Sequence, residues 1–336
     1  MGHATTVTAG SRISGTGHYV PSHVMTNRDL EARVDTTDQW IVERTGIRER
    51  RIAAEGEATS DMAAEAARRA LASAELDPRD IDMIIVATVT PDMPLPSTAV
   101  FVQTKIGARN DCPAFDIAAA CAGFCYALSI ADKFVRAGAA KHVMVVGVEL
   151  LSRVVDWSDR STCVLFGDGA GAVVVSESRG DGRGGILSTA IHADGSYASA
   201  LRIPGGGSVE PASARSLELK RHFVDMNGRE IFKVAVKNLS SASAAALTAA
   251  GVSADDLDWV VPHQANLRIL EGVAERTGVP LTRFYLNLAK YGNTSSASIP
   301  IALDEAVREG AIKAGQSVLF CALGGGVAWG SAVIRW

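Results

Sequence analysis

Ala70-Leu71, Ala74 and Asp80-Ile-Asp82-Met-Ile-Ile-Val86 return 176 residues later as Ala246-Leu247, Ala250 and Asp256-Leu-Asp258-Trp-Val-Val-Pro262. Each block reads as a helix, a short polar turn and an apolar, β-branched strand. A second pair, Arg136-Ala-Gly138-Ala-Ala-Lys141 and Arg308-Glu-Gly310-Ala-Ile-Lys313, follows in the same order at a spacing of 172. Both members come after a helical pattern and before a strand, Val143-Met-Val-Val146 and Ser317-Val-Leu-Phe320. Two blocks in one order at a domain-sized period predict a duplicated domain, not a solenoid. Continuous runs such as Ile84-Ile-Val-Ala87 and Val173-Val-Val175 suit sheets covered on both faces, so each half is read as layered α/β. The halves are drawn at 1–180 and 181–336, with the Gly- and Ser-rich span from Gly180 to Gly207 joining them.

The composition admits a large core. The 336 residues are 47% hydrophobic and 21% charged, with a mean hydropathy of +0.14, which fits one or two globular domains. No apolar run approaches the roughly 18 residues of a membrane span, and the first residues lack a signal-peptide pattern, so a cytoplasmic protein is expected. Met1-Gly2-His-Ala-Thr-Thr6 fits the loose myristoylation pattern, but nothing else points to a membrane. A net charge of −4 without a basic tail argues against nucleic acid. The odd number and scattered spacing of the five cysteines (Cys112, Cys121, Cys125, Cys163 and Cys321) argue against a disulfide framework or a zinc site.

Three polar residues stand where chemistry is possible. Cys121 lies in Asp116-Ile-Ala-Ala-Ala-Cys121-Ala-Gly-Phe-Cys, an apolar run that turns helical at the cysteine. Unpaired N–H groups at a helix start favour a thiolate, although a buried cysteine is also an ordinary small core residue. A spacing of 172 carries Cys121 onto Asn293, in Gly292-Asn293-Thr-Ser-Ser-Ala-Ser-Ile-Pro300, again just before a helix pattern. His263 ends the buried strand Trp259-Val-Val-Pro262, the usual place for a site in an α/β sheet. Taken singly, the histidine also reads as structural and the asparagine as turn chemistry. Gly167-Asp-Gly-Ala-Gly171 and Gly324-Gly-Gly326 lack the lysine or spacing of a phosphate cradle and read as tight turns.

Together these segments resemble the β-ketoacyl-acyl-carrier-protein synthase III family of the thiolase-like superfamily. The resemblance rests on Asp116–Phe124, Val261-Pro-His-Gln-Ala-Asn-Leu-Arg268, Gly292-Asn-Thr-Ser295 and Phe166-Gly-Asp-Gly-Ala-Gly171. It extends through Asp38–Arg48, Asp156-Trp-Ser-Asp-Arg160 and Gly324–Gly330. It implies a duplicated thiolase-like fold with α-β-α-β-α layers, and a decarboxylating condensation of an acyl-CoA primer with malonyl-acyl-carrier-protein that starts fatty-acid chains. Cys121 would carry the acyl group, with the N–H groups of Cys121 and Gly325 as the oxyanion site. His263 and Asn293 would hold the malonyl thioester as carbon dioxide leaves, which asks for a neutral histidine. No metal or other cofactor is implied. Thr36, Trp40, Arg44 and Arg160 would grip the coenzyme A nucleotide, with Trp40 and Arg160 stacking on the adenine, and Phe232, Asn266 and Arg268 would follow the pantetheine arm.

The resemblance also implies a homodimer and an acidic carrier-protein partner. Arg229, Lys233 and Lys237 recur at helical spacing and, with Arg268, are the candidate docking surface. A basic pair common just downstream in the family is here Glu275-Arg276. The acyl pocket is assigned to Leu95, Leu151, Phe166 and Leu323. Leu95 and Leu323 replace phenylalanines common in short-primer relatives, and the loop of Leu95 would reach the partner's pocket, so primers longer than acetyl are expected. Three rivals stand beside this reading: a thiolase using Cys321 as a second cysteine, a non-catalytic subunit, and a relative acylating an oxygen or nitrogen acceptor or starting a secondary metabolite.

Overall fold

The computed structural model describes residues 10–178 and 184–336. The myristoylation pattern and the boundary drawn between 180 and 181 lie outside the described residues. The first half runs β1 (Gly10–Tyr19), β2 (His23–Thr26), α1 (Asn27–Glu31), α2 (Asp38–Thr45), β3 (Glu49–Ile52), α3 (Thr59–Ala74), β4 (Met83–Ala87), α4 (Thr98–Ile106), β5 (Ala114–Ile117), α5 (Gly123–Arg136), β6 (His142–Glu149), α6 (Arg160–Cys163) and β7 (Gly169–Ser178). The second runs β8 (Gly185–Ala193), β9 (Leu201–Arg202), α7 (Ala214–Glu218), β10 (Asp225–Met226), α8 (Gly228–Ala250), β11 (Trp259–Pro262), α9 (Leu267–Thr277), α10 (Leu288–Tyr291), α11 (Ser298–Arg308), β12 (Ser317–Gly324) and β13 (Ala328–Arg335).

The two main sheets repeat one plan. The first is ordered β1-β7-β6-β4-β5 and the second β8-β13-β12-β11. In each, one end is parallel (β6-β4-β5 in the first sheet, β12-β11 in the second) and the remaining pairs are antiparallel. A single parallel bridge from Val260 to Phe284 stands where β5 pairs with β4. The wholly apolar β4 (Met-Ile-Ile-Val-Ala) is buried along its length because both faces are covered. Its inner residues Ile85 and Ala87 pack on Phe124 and Leu128 of α5, which share a core with Ile299 and Leu303 of α11 and Phe320 of the second sheet. Ile84 and Val86 face the other way onto α3 and α4, and α8 and α9 cover the outer face of the second sheet. The five layers α-β-α-β-α follow, with α5 and α11 in the middle.

Two expectations change. Gly180–Gly207 is not merely a joint, because Gly185–Ala193 is the edge strand β8. Only Ile186 of that strand is buried, so it lacks the apolar run that marks an inner strand. The repeat also shifts by a helical turn. α5 has 14 residues and α11 has 11, so their ends match at a spacing of 172 but their starts at 175. Cys121 therefore corresponds to Ser296, and Asn293 to Ala118.

β2, α1, α2, β3 and α6 form a cap on the first half, built on Leu30, Ile41, Ile47, Val164 and Phe166. Arg50, fully buried within it, bonds the Met25 carbonyl, Asn27 Oδ1 and the Val164 carbonyl. Burial lowers its guanidinium only to about 10, so it stays charged and ties the cap to the strand segment beside Asn293. Among the described residues no helix is long and apolar enough to cross a membrane.

Candidate active site

The starts of α5 and α11 meet in the centre of the molecule. Each is preceded by a short 3-10 turn, Ala120–Ala122 and Ser295–Ala297. Each turn opens on a left-handed residue, Ala120 (φ 46°) and Ser295 (φ 50°). Strain of this kind persists only where the surroundings enforce it, and here the backbone is confined on both sides. A Cβ added to Gly324 would lie 2.4 Å from the Cys121 nitrogen, and one on Gly147 would lie 2.3 Å from the Ser296 carbonyl oxygen. Each half's strand end thus presses on the other half's helix start.

Cys121, His263 and Asn293 are brought together by this meeting and line one cavity of about 130 Å³ with Phe166, Phe232 and Leu323. A second cavity of about 320 Å³ opens on the other side of Cys121, walled by Val89, Ala118, Leu151, Phe166, Leu201 and Ile203, with Gly325 and Ser295 at its base. The two share Cys121, Phe166 and Leu201.

Cys121 is buried, and burial pushes its thiol up to about 12; the Ser295 side chain opposes this and Glu149 adds to it. Burial thus works against the thiolate that the helix start favours. The His263 N–H donates to the Cys321 carbonyl (2.8 Å), carrying the chain on from β11 along β12. Its ring Nδ1 lies 3.2 Å from Ser298 Oγ. Burial lowers its pKa to about 3, against a backbone hydrogen bond at Ser295, so the ring is neutral at physiological pH. A neutral imidazole offers one donor and one acceptor, and the tautomer in which Ser298 donates to Nδ1 presents Nε2–H to the cavity. Asn293 is fixed through its backbone, donating to the Leu165 carbonyl (2.8 Å) and accepting from the Gly167 N–H (3.0 Å). Its Oδ1 accepts the Ser295 N–H at 2.9 Å, which leaves the amide nitrogen as a donor.

The other sequence-predicted residues divide. Leu151, Phe166 and Leu323 line the cavities, whereas Leu95 is 84% exposed and lines neither. Trp40, Arg44 and Arg160 meet at one place: the Arg44 and Arg160 guanidinium carbons lie 4.8 and 4.9 Å from the Trp40 ring centroid. Arg160 also donates to the Asp35 carbonyl (2.7 Å), and the neighbouring Thr36 hydroxyl is buried without a partner. Phe232 and Asn266 line the smaller cavity. The Asn266 amide is committed to the Arg44 carbonyl and, as the cap of α9, to the Arg268 N–H. Arg268 bonds the Glu43 carbonyl from the surface. Arg229, Lys233 and Lys237 are exposed along α8. Cys321 is fully buried among residues packed under α8 and reaches neither cavity. Among the described residues no cluster of three His, Cys, Asp or Glu is placed to hold a metal.

Sequence reasoning missed Glu149 and Ser295. Glu149 is a charged residue closing the apolar strand β6, the same signal that singled out His263.

Comparison with known proteins agrees with this geometry. Residues 115–195 match the family described as 3-Oxoacyl-[acyl-carrier-protein (ACP)] synthase III, and residues 247–336 match its C-terminal region. The chain is 53% identical over 329 residues to the β-ketoacyl-[acyl-carrier-protein] synthase III of Thiobacillus denitrificans, covering 97% of this chain and 99% of that one. It is 50% identical over 326 residues to that of Neisseria gonorrhoeae, with coverage of 97% and 99%. The crystal structure of the Aquifex aeolicus 3-oxoacyl-[acyl-carrier-protein] synthase III superposes with a TM-score of 0.89 at 48% identity, covering 97% and 100%. The priming β-ketosynthase of the R1128 polyketide pathway superposes with a TM-score of 0.90 at 38% identity, covering 97% and 96%. With both family regions matched and 53% identity over 97% of its length to the Thiobacillus denitrificans protein, the chain belongs to the β-ketoacyl-acyl-carrier-protein synthase III family.

Proposed function

We propose that this protein takes an acyl group from an acyl-CoA onto Cys121 and condenses it with malonyl-acyl-carrier-protein, releasing carbon dioxide and a β-ketoacyl carrier. The observation that carries this reading is the convergence of Cys121, His263 and Asn293 on one cavity. The thioester carbonyl sits against the N–H groups of Cys121 and Gly325; an oxyanion donor of this kind is worth about 3 kcal/mol. The malonyl thioester oxygen takes its two hydrogen bonds from His263 Nε2 and Asn293 Nδ2, which stabilise the enolate as the carboxylate leaves. The enolate carbon then attacks the acyl carbon and Cys121 departs. A neutral His263 suits this role, since it donates without carrying a charge into the apolar site.

The 320 Å³ cavity receives the acyl chain, with Leu95 contributed by the partner of a homodimer. Its largely apolar lining, in which Arg202 is the one charged residue, supports primers longer than acetyl. The nucleotide binds at Trp40, where Arg160 moves off the indole to admit the adenine and the unpartnered Thr36 hydroxyl gains a ligand. The pantetheine arm passes Phe232, Asn266 and Arg268. The carrier docks on Arg229, Lys233, Lys237 and Arg268. The enzyme works without a metal or other cofactor, in the cytoplasm, and its two halves divide between β7 and β8.

The test is product formation from a panel of acyl-CoAs and malonyl-acyl-carrier-protein. Release of carbon dioxide equimolar with β-ketoacyl carrier supports the reading, and an acylated enzyme that passes its acyl group to an oxygen or nitrogen acceptor without carbon dioxide contradicts it. The likeness to a polyketide priming enzyme favours one second reading, the same condensation in a secondary pathway. Turnover confined to a polyketide-type carrier would select it.

A further inference from the structure

Glu149 is fully buried at the end of β6, two residues ahead of Leu151, and the chemistry above makes no use of it. Its two carboxylate oxygens are treated differently. Oε2 accepts from Thr90 Oγ1 (2.8 Å), the Val89 N–H (3.1 Å) and Thr88 Oγ1 (3.3 Å). Oε1 accepts from Ser295 Oγ at 3.1 Å, and the Ser296 side chain also hydrogen-bonds the carboxylate. The oxygen away from the Thr88–Thr90 cluster therefore faces Ser295. That serine lines the Cys121 cavity, and its side chain is the neighbour whose hydrogen bonding favours the Cys121 thiolate. The buried carboxylate is thus hydrogen-bonded to a hydroxyl that lines the same cavity as the Cys121 thiol.

We propose that Glu149, acting through the Ser295 hydroxyl, holds the Cys121 proton for the lifetime of the acyl-enzyme and returns it when the cysteine departs. In acylation the Sγ–H bond breaks as Sγ attacks the primer carbonyl. The proton passes to Ser295 Oγ, and the serine's own proton passes to Glu149 Oε1. The carbon–sulfur bond to coenzyme A breaks, and coenzyme A leaves with the electron pair and takes a proton from water. In condensation the enolate carbon bonds to the acyl carbon and the carbon–Sγ bond breaks. The electron pair stays on Sγ, and the Oε1 proton returns through Ser295. The active site therefore ends as it began.

His263 is a poor alternative store, because burial holds it neutral down to about 3, whereas burial raises Glu149 to about 7, a value from which a proton is both taken and given near neutral pH. The groups facing Glu149 are hydroxyls and N–H donors of Thr88, Val89 and Thr90 after β4, and Ser295 and Ser296 before α11. Among the described residues Cys121 is the ionisable group coupled to it. The two titrate as a pair: an ionised Glu149 keeps the thiol protonated, and a protonated one relieves the thiolate.

This inference rests on the acyl-enzyme reading, and one experiment separates the two. The rate of Cys121 acylation by acyl-CoA is measured by rapid quench and intact mass between pH 5.5 and 9, in the wild type, Glu149→Gln and Ser295→Ala. If the wild type forms no acyl-enzyme, the functional reading itself fails. Given a wild-type acyl-enzyme, acylation is expected to fall as pH drops through about 7. Both variants are expected to lose that limb and to acylate roughly 100-fold more slowly, the lower range for a missing acid–base group. In both variants the loss of acylation is expected to exceed any loss of malonyl-acyl-carrier-protein decarboxylation, which depends on His263 and Asn293, by at least about tenfold. Ser295→Ala leaves Glu149 in place and Ala120 shows that alanine adopts the same backbone, so it serves if Glu149→Gln folds poorly. Retention of the wild-type pH limb in either folded variant, or an equal loss of decarboxylation, would overturn the proposal.

Discussion

At Cys121 two physical effects compete. The helix start favours a thiolate, as does the Ser295 hydroxyl, while burial pushes the thiol up to about 12 and the neighbouring Glu149 adds to this. Cys121→Ser is expected to abolish acyl-enzyme formation, by at least about 10³-fold in intact-mass kinetics, because an alcohol in the same pocket is a weaker nucleophile still. His263→Ala and Asn293→Ala each remove one hydrogen bond to the developing enolate. Their decarboxylation rates are expected to fall by about 10²–10³, with acylation of Cys121 retained. Glu149 makes a separate prediction on stability. Its pKa rises from 4.5 to about 7 on folding, so its favourable contribution is full below pH 4.5 and is lost as pH rises through 7. The loss amounts to roughly 3 kcal/mol. Glu149→Gln has no such dependence, so the thermal-unfolding midpoint of the variant should gain on the wild type by a few degrees between pH 4.5 and pH 8. A gap that stays constant with pH would show that Glu149 is not raised by burial.

Among the elements, the strand ends and helix starts do the positioning. Gly324, in β12, leaves no room for a side chain: a Cβ would stand 2.4 Å from the Cys121 nitrogen and 3.0 Å from the Ala120 Cβ. Gly324→Ala is therefore expected to cost about 1–3 kcal/mol in denaturant unfolding and to depress acylation, since the backbone it displaces carries the nucleophile. An alanine variant with wild-type acylation would contradict this. The elements themselves were largely legible in the sequence. The paired blocks at Ala70 and Ala246 locate α3, β4, α8 and β11, because buried strands and amphipathic helices leave unmistakable apolar patterns. β8 was not legible, since an edge strand with one buried residue looks like a loop. The correspondence of Cys121 with Ser296 was hidden by one missing turn in α11, a length change that no local pattern records.

For the molecule as a whole, the duplication explains the site: two similar halves place their helix starts face to face, and each half supplies part of the chemistry. Cys121, His263 and Asn293 were readable as a set because each follows or precedes a recognisable element. Glu149 carried the same strand-end signal and was passed over, and Ser295 was not readable, because its meaning lies in a contact spanning 146 positions. One feature faces outward from this centre. Arg229, Lys233 and Lys237 lie exposed on one helix, and Lys233→Glu with Lys237→Glu is expected to raise KM for malonyl-acyl-carrier-protein about tenfold, more so at low salt. An unchanged KM would move the carrier elsewhere. The most direct measurement of the central claim is the intact mass of the protein after an acyl-CoA and then malonyl-acyl-carrier-protein. The account predicts one acyl adduct, absent in Cys121→Ser, that is discharged as β-ketoacyl carrier with carbon dioxide. An adduct that survives the Cys121→Ser change, or one that malonyl-acyl-carrier-protein cannot discharge, would contradict it.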